Sequence, residues 1–315
     1  MKTDLFDDLS IAASVLDSDR WNNTNFLLDC WDTYEPYADA DFRTELNRAI
    51  TDLSAHQTPS PDRTRACDLL QQRYWEMLTG MALLSAGFQL IEYANRTSAG
   101  PDHLVDLDGR RLWIECTAPG PGTTADRVPE TKISTTPTVS EVPNDQITLR
   151  LSGAIKTKQA IYKDQYLTDG IADEDDLFII AVNGRNTSVL PADDSPPRIL
   201  KYLYRLGPIA ASFDLDTNKF SDPYLTLRNE IPRITGDPIP TGAFANGNLP
   251  HVSGVIYSHC DPWNRGPSFQ RSIVLVPNGT ASNPLSRNFC LPFHCWHVEN
   301  KGKESIVRLS NPGEF

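Results

Sequence analysis

Apolar positions along this chain change period several times, and each change predicts an element. Residues 10–16 and 41–53 carry apolar side chains at helical spacing, with Trp21, Phe26, Trp31, Tyr34 and Tyr37 between them, so residues 1–60 are expected to form a helical segment. The break at Thr58-Pro59-Ser60-Pro61 marks its end. A longer helix is expected over residues 64–86, stopped by Gly87. With 100° per residue, Leu69, Glu76, Gly80, Leu83, Leu84 and Gly87 fall on one stripe, which puts a carboxylate on the inward face. Residues 88–93 read as a strand. Residues 144–167 return to helical period, with Asn144 as a cap. Residues 177–182, Leu-Phe-Ile-Ile-Ala-Val, form an unbroken apolar run, the pattern of a central strand buried on both faces. Past Gly184 the signals weaken to a short helix over 197–206 and strands near 211–216, 254–258 and 272–276.

Residues 100–117, GPDHLVDLDGRRLWIECT, alternate about an Asp108-Gly109 turn. That dipeptide suits a two-residue type I′ hairpin, whose central positions both need positive φ. The register then follows: Leu107 faces Arg110, Val105 faces Leu112, and Asp102 faces Glu115. Leu104, Asp106, Arg111, Trp113 and Thr117 share the acidic face, while His103, Val105, Leu112 and Ile114 take the other. Opposed like charges destabilise a hairpin unless a cation lies between them. Either the register slips, or both acids point into water at a sheet edge, or the two carboxylates share a positive partner such as a divalent metal.

Both helices aim charge inward. Glu76 sits on an apolar stripe, where a charge needs a partner; it is either an ion pair with Arg73 one turn earlier or part of a metal or phosphate site. In the helix over 144–167, Lys158 lies at the centre of the stripe made by Ile147, Leu151, Ala154, Ile155 and Tyr162, flanked by Arg150 and Gln165. Lys156 and Lys163 take the opposite side. Lys158 therefore either snorkels to solvent or meets an anion.

Residues 118–144, with Pro119, Pro121, Pro129, Pro137 and Pro143 among Thr, Ser and Gly, cannot build a core and read as a flexible loop or lid springing from the carboxylate strand. Strand, hairpin, long helix and buried strand together predict an α/β core with a mixed central sheet flanked by helices. The chain divides into an N-terminal helical segment (1–60), a core (61–184) and a C-terminal α+β, strand-rich extension packed on it (185–315).

Composition narrows the setting. The 315 residues, 39% hydrophobic, suffice for one large domain or two ordinary ones. No apolar run approaches the roughly 20 residues of a membrane span, and the acidic start MKTDLFDDLS is unlike a signal peptide. A cytoplasmic chain with no membrane contact and six reduced cysteines is expected. The net charge of −12 argues against a broad phosphate-binding surface, so nucleic-acid contact would be confined to a local basic patch. Cys290, His294, Cys295 and His297 contain zinc-ligand types, but their spacing matches no paired-ligand pattern.

Two carboxylates on adjacent strands suit a hard cation such as Mg2+ or Mn2+. A metal so held activates water and stabilises charge on a phosphodiester, and a nearby lysine adds to that stabilisation. On these residues the chain resembles the PD-(D/E)XK nuclease superfamily, which has a restriction-endonuclease-like fold. Gly100-Pro101-Asp102 resembles its PD element, Trp113-Ile114-Glu115-Cys116-Thr117 its second element twelve residues on, Arg73-Tyr-Trp-Glu76 its first helix, and Arg150 to Lys158 with Tyr162 and Gln165-Tyr166 the helix that follows. The resemblance covers residues 64–184. It departs from the pattern at Thr117, which stands where the family has lysine. In some members that lysine comes from the following helix, and Lys158 is the substitute here.

The resemblance implies a Mg2+-dependent endonuclease, with DNA favoured over RNA. Asp102 and Glu115 would hold the metal, Lys158 would stabilise the transition state and Glu76 would assist through water. Arg150, Gln165, Tyr162 and Thr117 would orient the site or contact phosphate. The rival expectation is a catalytically inactive binding or scaffold protein of the same fold; a third is a hydrolase of other phosphoesters. A protein partner or homo-oligomer is left open.

Overall fold

The computed structural model describes residues 5–96, 100–107, 109–129, 141–187, 195–263, 272–290, 292–301 and 304–314. Four helices open the chain: α1 (Leu9–Leu16), α2 (Asn23–Tyr34), α3 (Phe42–Ala55) and α4 (Pro61–Ser85). The capping side chains Asp8, Asn22 and Ser60 accept from backbone N–H groups in the first turns of α1, α2 and α4. Helix α4 starts three residues before the expected Thr64. Pro61 is not the breaker there but the first helical residue, where a missing N–H costs nothing and φ is already set.

Next come β1 (Gln89–Leu90), β2 (His103–Leu107), β3 (Arg110–Thr117), α5 (Asn144–Ile161) and β4 (Leu177–Asn183). A π-helical turn, Tyr162–Tyr166, extends α5. The remainder holds α6 (Ile199–Tyr204), β5 (Leu206–Ala210), β6 (Phe213–Asp214), β7 (Lys219–Phe220), β8 (Tyr224–Leu227), β9 (Glu230–Ile231), β10 (Ile239–Pro240), β11 (Gly254–Ser258), β12 (Val274–Pro277), α7 (Arg287–Cys290), β13 (His294–Lys301) and β14 (Glu304–Ser310).

Ten strands form one sheet in the order β1-β2-β3-β4-β11-β12-β13-β14-β8-β5. The pairs β3·β4, β4·β11 and β12·β13 are parallel and the others antiparallel. The protein is thus mixed α/β, with a large mixed central sheet flanked by helices. Residues 185–315 add six strands to this sheet, continuing it instead of forming a separate layer on it. The reason lies in β4, buried at every position: a strand with no solvent face also needs both edges paired, and β11 supplies the second. The strand expected over 88–93 shrinks to the two residues of β1. The one expected over 211–216 is replaced by β5 just before it and by the short β6, which pairs only with β7.

Alternation along β3 and β4 feeds two cores. Leu112, Ile114 and Ile179 pack under α1 to α4 with Trp31, Leu46, Leu70, Trp75 and Leu78. Trp113, Phe178, Ile180 and Val182 pack under α5 with Ile147, Leu151, Ile155 and Tyr162. Trp75 also donates its indole N–H to the Ala181 carbonyl at 2.9 Å, pinning α4 to β4. Among the described residues no helix is long and apolar enough to cross a membrane.

Candidate active site

The hairpin sets the first carboxylates. Asp108 lies outside the described residues, but Gly109 has φ +84° and donates its N–H to Asp106 Oδ1 at 2.7 Å. The β2·β3 register runs from Leu107↔Arg110 to His103↔Ile114, as expected, so Asp102 and Glu115 occupy the next step. There the ladder stops. Asp102 Oδ2 accepts the Cys116 N–H at 2.6 Å, so the side chain continues what the backbone began. Its other oxygen makes no hydrogen bond among the described residues. Arg96 holds the approach to this corner from behind, donating to the Pro101 and Asp102 carbonyls at 2.9 and 2.7 Å.

Helix α5 crosses the same face and brings Lys158 Nζ to 2.5 Å from Glu115 Oε1. Burial disfavours the ammonium charge, but Glu115 outweighs it and raises the Lys158 pKa. Of the two expectations for this lysine, it meets an anion. Tyr166 reaches the other Glu115 oxygen at 3.4 Å, a long contact.

Helix α4 closes the site from the other core. Glu76 is 4% exposed; its two oxygens accept from Gln72 Nε2 at 2.8 Å and Arg73 Nη1 at 2.7 Å. Arg73 also binds Asp39 and Glu45, so one guanidinium serves three carboxylates. The ion-pair reading of Glu76 therefore stands as geometry. Gln72 also bridges to the Cys116 carbonyl and the Ala118 N–H, at 3.2 and 2.9 Å, fastening the end of β3 to α4. His103 is fully buried, with Nε2 3.1 Å from the Glu76 carbonyl, and burial drives its pKa down to about 3, keeping the ring neutral.

The carboxylates are not equally compensated. Asp102 faces burial and the negative charges of Glu76 and Glu115, which raise its pKa well above the usual range; the Cys116 N–H and Lys158 offset this only in part. Burial also raises the Glu76 pKa, against the opposing pull of Arg73. The corner around Asp102 thus lacks positive charge, and either a proton or a cation would relieve it.

The other expected site residues are placed as follows. Thr117 ends β3 beside Val182, half-buried and uncharged. Arg150 lies on α5 but turns to the base of the loop, donating Nε to the Gly120 carbonyl at 2.9 Å. Tyr162 is buried in the core, stacked on Phe178 with ring centroids 4.0 Å apart. Gln165 is exposed, and no described hydrogen bond joins its side chain to the carboxylates. The π turn explains this: it inserts one residue into the helical phase, so Tyr166 takes the direction an unbroken α-helix would give Gln165. Residues 130–140 of the expected lid lie outside the described residues. The part before them is tied down, with Val128 buried and Asp126 accepting from the Ile234 N–H at 2.6 Å. The sequence reading did not single out Gln72 or Arg96 and named Tyr166 only as part of the resembled helix; their positions depend on contacts between distant segments.

Among the described residues no three His, Cys, Asp or Glu side chains converge tightly enough to form a ready-made metal cage. The donor chemistry still suits a hard cation: a spare oxygen on Asp102, Glu115 on the adjacent strand, and an Asp102 charge that Lys158 and the Cys116 N–H offset only in part. Mg2+ commonly takes one or two carboxylates and completes its shell with water.

No family model, curated protein or solved structure matches the chain. Its geometry is the remaining guide.

Proposed function

We propose that the protein is a metal-dependent nuclease whose core is restriction-endonuclease-like, cutting DNA in preference to RNA. The observation that carries this reading is Lys158 against Glu115, at the corner where Asp102 holds a carboxylate that its neighbours compensate only in part. A parallel strand pair, an antiparallel hairpin bearing the acids and a lysine-bearing helix across them are the parts that the sequence resemblance asks for.

Asp102 and Glu115 would hold Mg2+ or Mn2+, which supplies a Lewis acid and a lowered water pKa when bound. Lys158 donates to the phosphoryl oxygens as charge grows on them, a role that needs a fixed cation near the reacting atoms. Glu76, held by Gln72 and Arg73, lends negative potential behind Asp102 and would thereby favour a cation at the Asp102 carboxylate.

Titration calorimetry with Mg2+ and Mn2+, paired with a cleavage assay on plasmid and oligonucleotide DNA, tests the reading. Metal-dependent cleavage lost in Asp102→Ala and Glu115→Ala, with the fold intact, is expected; undiminished cleavage in either variant refutes the assignment. The competing reading, a nuclease-fold binding protein without catalysis, draws on Thr117 and on the closeness of Lys158 to Glu115, which already neutralises one metal ligand. It requires that neither metal binds and no nucleic acid is cut. Cleavage of small phosphodiesters but not of polynucleotides would favour a different phosphoester substrate.

A further inference from the structure

Lys158 and a divalent cation would draw on the same carboxylate. Glu115 is buried on a central strand, in register with Ile180 of β4, and its Oε1 is held by the Lys158 ammonium at 2.5 Å. Among the described residues Lys158 is the one cation in an ion pair with either Asp102 or Glu115. The nearby arginines are engaged elsewhere: Arg73 on Asp39, Glu45 and Glu76, and Arg96 on the Pro101 and Asp102 carbonyls.

The two partners differ in freedom. Ile155 and Tyr162, buried on either side of Lys158 along the chain, fix where its stem starts. Beyond that the lysine has four flexible methylenes, and its side chain is 23% exposed against 8% for Glu115, so the ammonium is the partner better able to leave. While it stays, it cancels charge on Glu115 and repels a second cation bound to the same group. The rest of the corner pulls the other way. Asp102 keeps one oxygen without a hydrogen bond among the described residues, and the negative charges of Glu76 and Glu115 act on it.

We propose that Lys158 sets the affinity of this corner for divalent cations by competing with them for Glu115. The proposal rests on the metal reading of the corner given above. It gives one side chain two opposed effects: the ammonium that serves the phosphoryl group also restrains metal loading, so removing it should tighten metal binding while slowing cleavage.

Calorimetric titration of the full chain with Mn2+ alone tests this, comparing wild type with Lys158→Met, Lys158→Gln and Lys158→Arg. The Met variant removes the charge; the Gln variant removes it but keeps a hydrogen-bond donor for Glu115, which guards against loss of the fold, checked by circular dichroism. Both neutral variants are expected to bind Mn2+ at least about tenfold more tightly than wild type, the low end of what close charge pairs are worth. Lys158→Arg, which keeps the charge, should stay near wild type. Adding Asp102→Asn should remove the gain, which places it at this corner and not on the other acids of a chain with net charge −12. Equal or weaker binding in the folded neutral variants, or a gain that survives Asp102→Asn, overturns the proposal; if wild type binds Mn2+ in that case, the metal reading itself stands. Binding by the neutral variants with none by wild type upholds the competition and refutes metal-dependent catalysis by the native chain. No Mn2+ binding by any of these proteins overturns both.

Discussion

Lys158 Nζ lies 2.5 Å from Glu115 Oε1 although the two residues are 43 positions apart, and this contact joins a helix to the strand that carries the second acid. It places a cation two residues along the strand from Thr117, where the resembled family keeps its lysine. The charge is thus supplied from α5 to the same sheet face.

If that relocation is functional, Lys158→Ala should lower Mg2+-dependent cleavage by about 10²- to 10³-fold, the usual effect of removing one transition-state donor. Adding Thr117→Lys to that variant should restore part of the rate, since position 117 shares the face of Glu115. Plasmid relaxation kinetics measure both. Full activity in Lys158→Ala would count against the site.

Asp102 gives a prediction in pH. Its folded pKa is raised by burial and by Glu76 and Glu115, so between its ordinary value near about 4 and the raised value only the folded state holds the proton. Stability then falls as pH rises through that window. Asp102→Asn removes the titration: the thermal midpoint at neutral pH should rise, the fall with pH should flatten, and cleavage should vanish. An unchanged pH profile of stability would argue that Asp102 is ionised in the fold without cost.

Arg73 is the sole cation contacting Glu76 among the described residues, and it also binds Asp39 and Glu45. Arg73→Ala strands a buried carboxylate and should cost about 3 kcal/mol in urea unfolding. Arg73→Lys should recover only a part, because one ammonium cannot reproduce the planar fork.

Gly80 lets α2 and β2 meet under α4. A Cβ there would fall 2.5 Å from Tyr34 Cε2 and 3.2 Å from His103 Cε1. Gly80→Ala should therefore destabilise by about 1–3 kcal/mol through overpacking, and adding Tyr34→Leu should recover part of the loss in thermal melts.

Much of the middle of the chain was legible because its signals are local. The all-apolar run of β4, the register about Gly109 and the stripe that turned Glu76 and Lys158 inward each depend on residues a few positions apart. Chain ends of elements were less legible: Pro61 reads as a breaker until Ser60 is seen capping the helix it begins. Gln165 was assigned by a phase that the π turn then altered. The C-terminal strands carried weak patterns because each gains its stability from a neighbour distant in sequence; β11, for example, is defined by pairing with β4 and β12.

By itself, then, the sequence determined periodicity, and through it which side chains face inward and which carboxylates share a strand face. It could not determine what those inward charges meet. Tertiary packing decided that Arg73 reaches Glu76, that Lys158 reaches Glu115, and that Asp102 has the Cys116 N–H as its only hydrogen-bond donor among the described residues. The physical reason is range: side-chain direction follows from backbone geometry within one element, whereas charge compensation depends on distances between elements that only the folded sheet and its helices set.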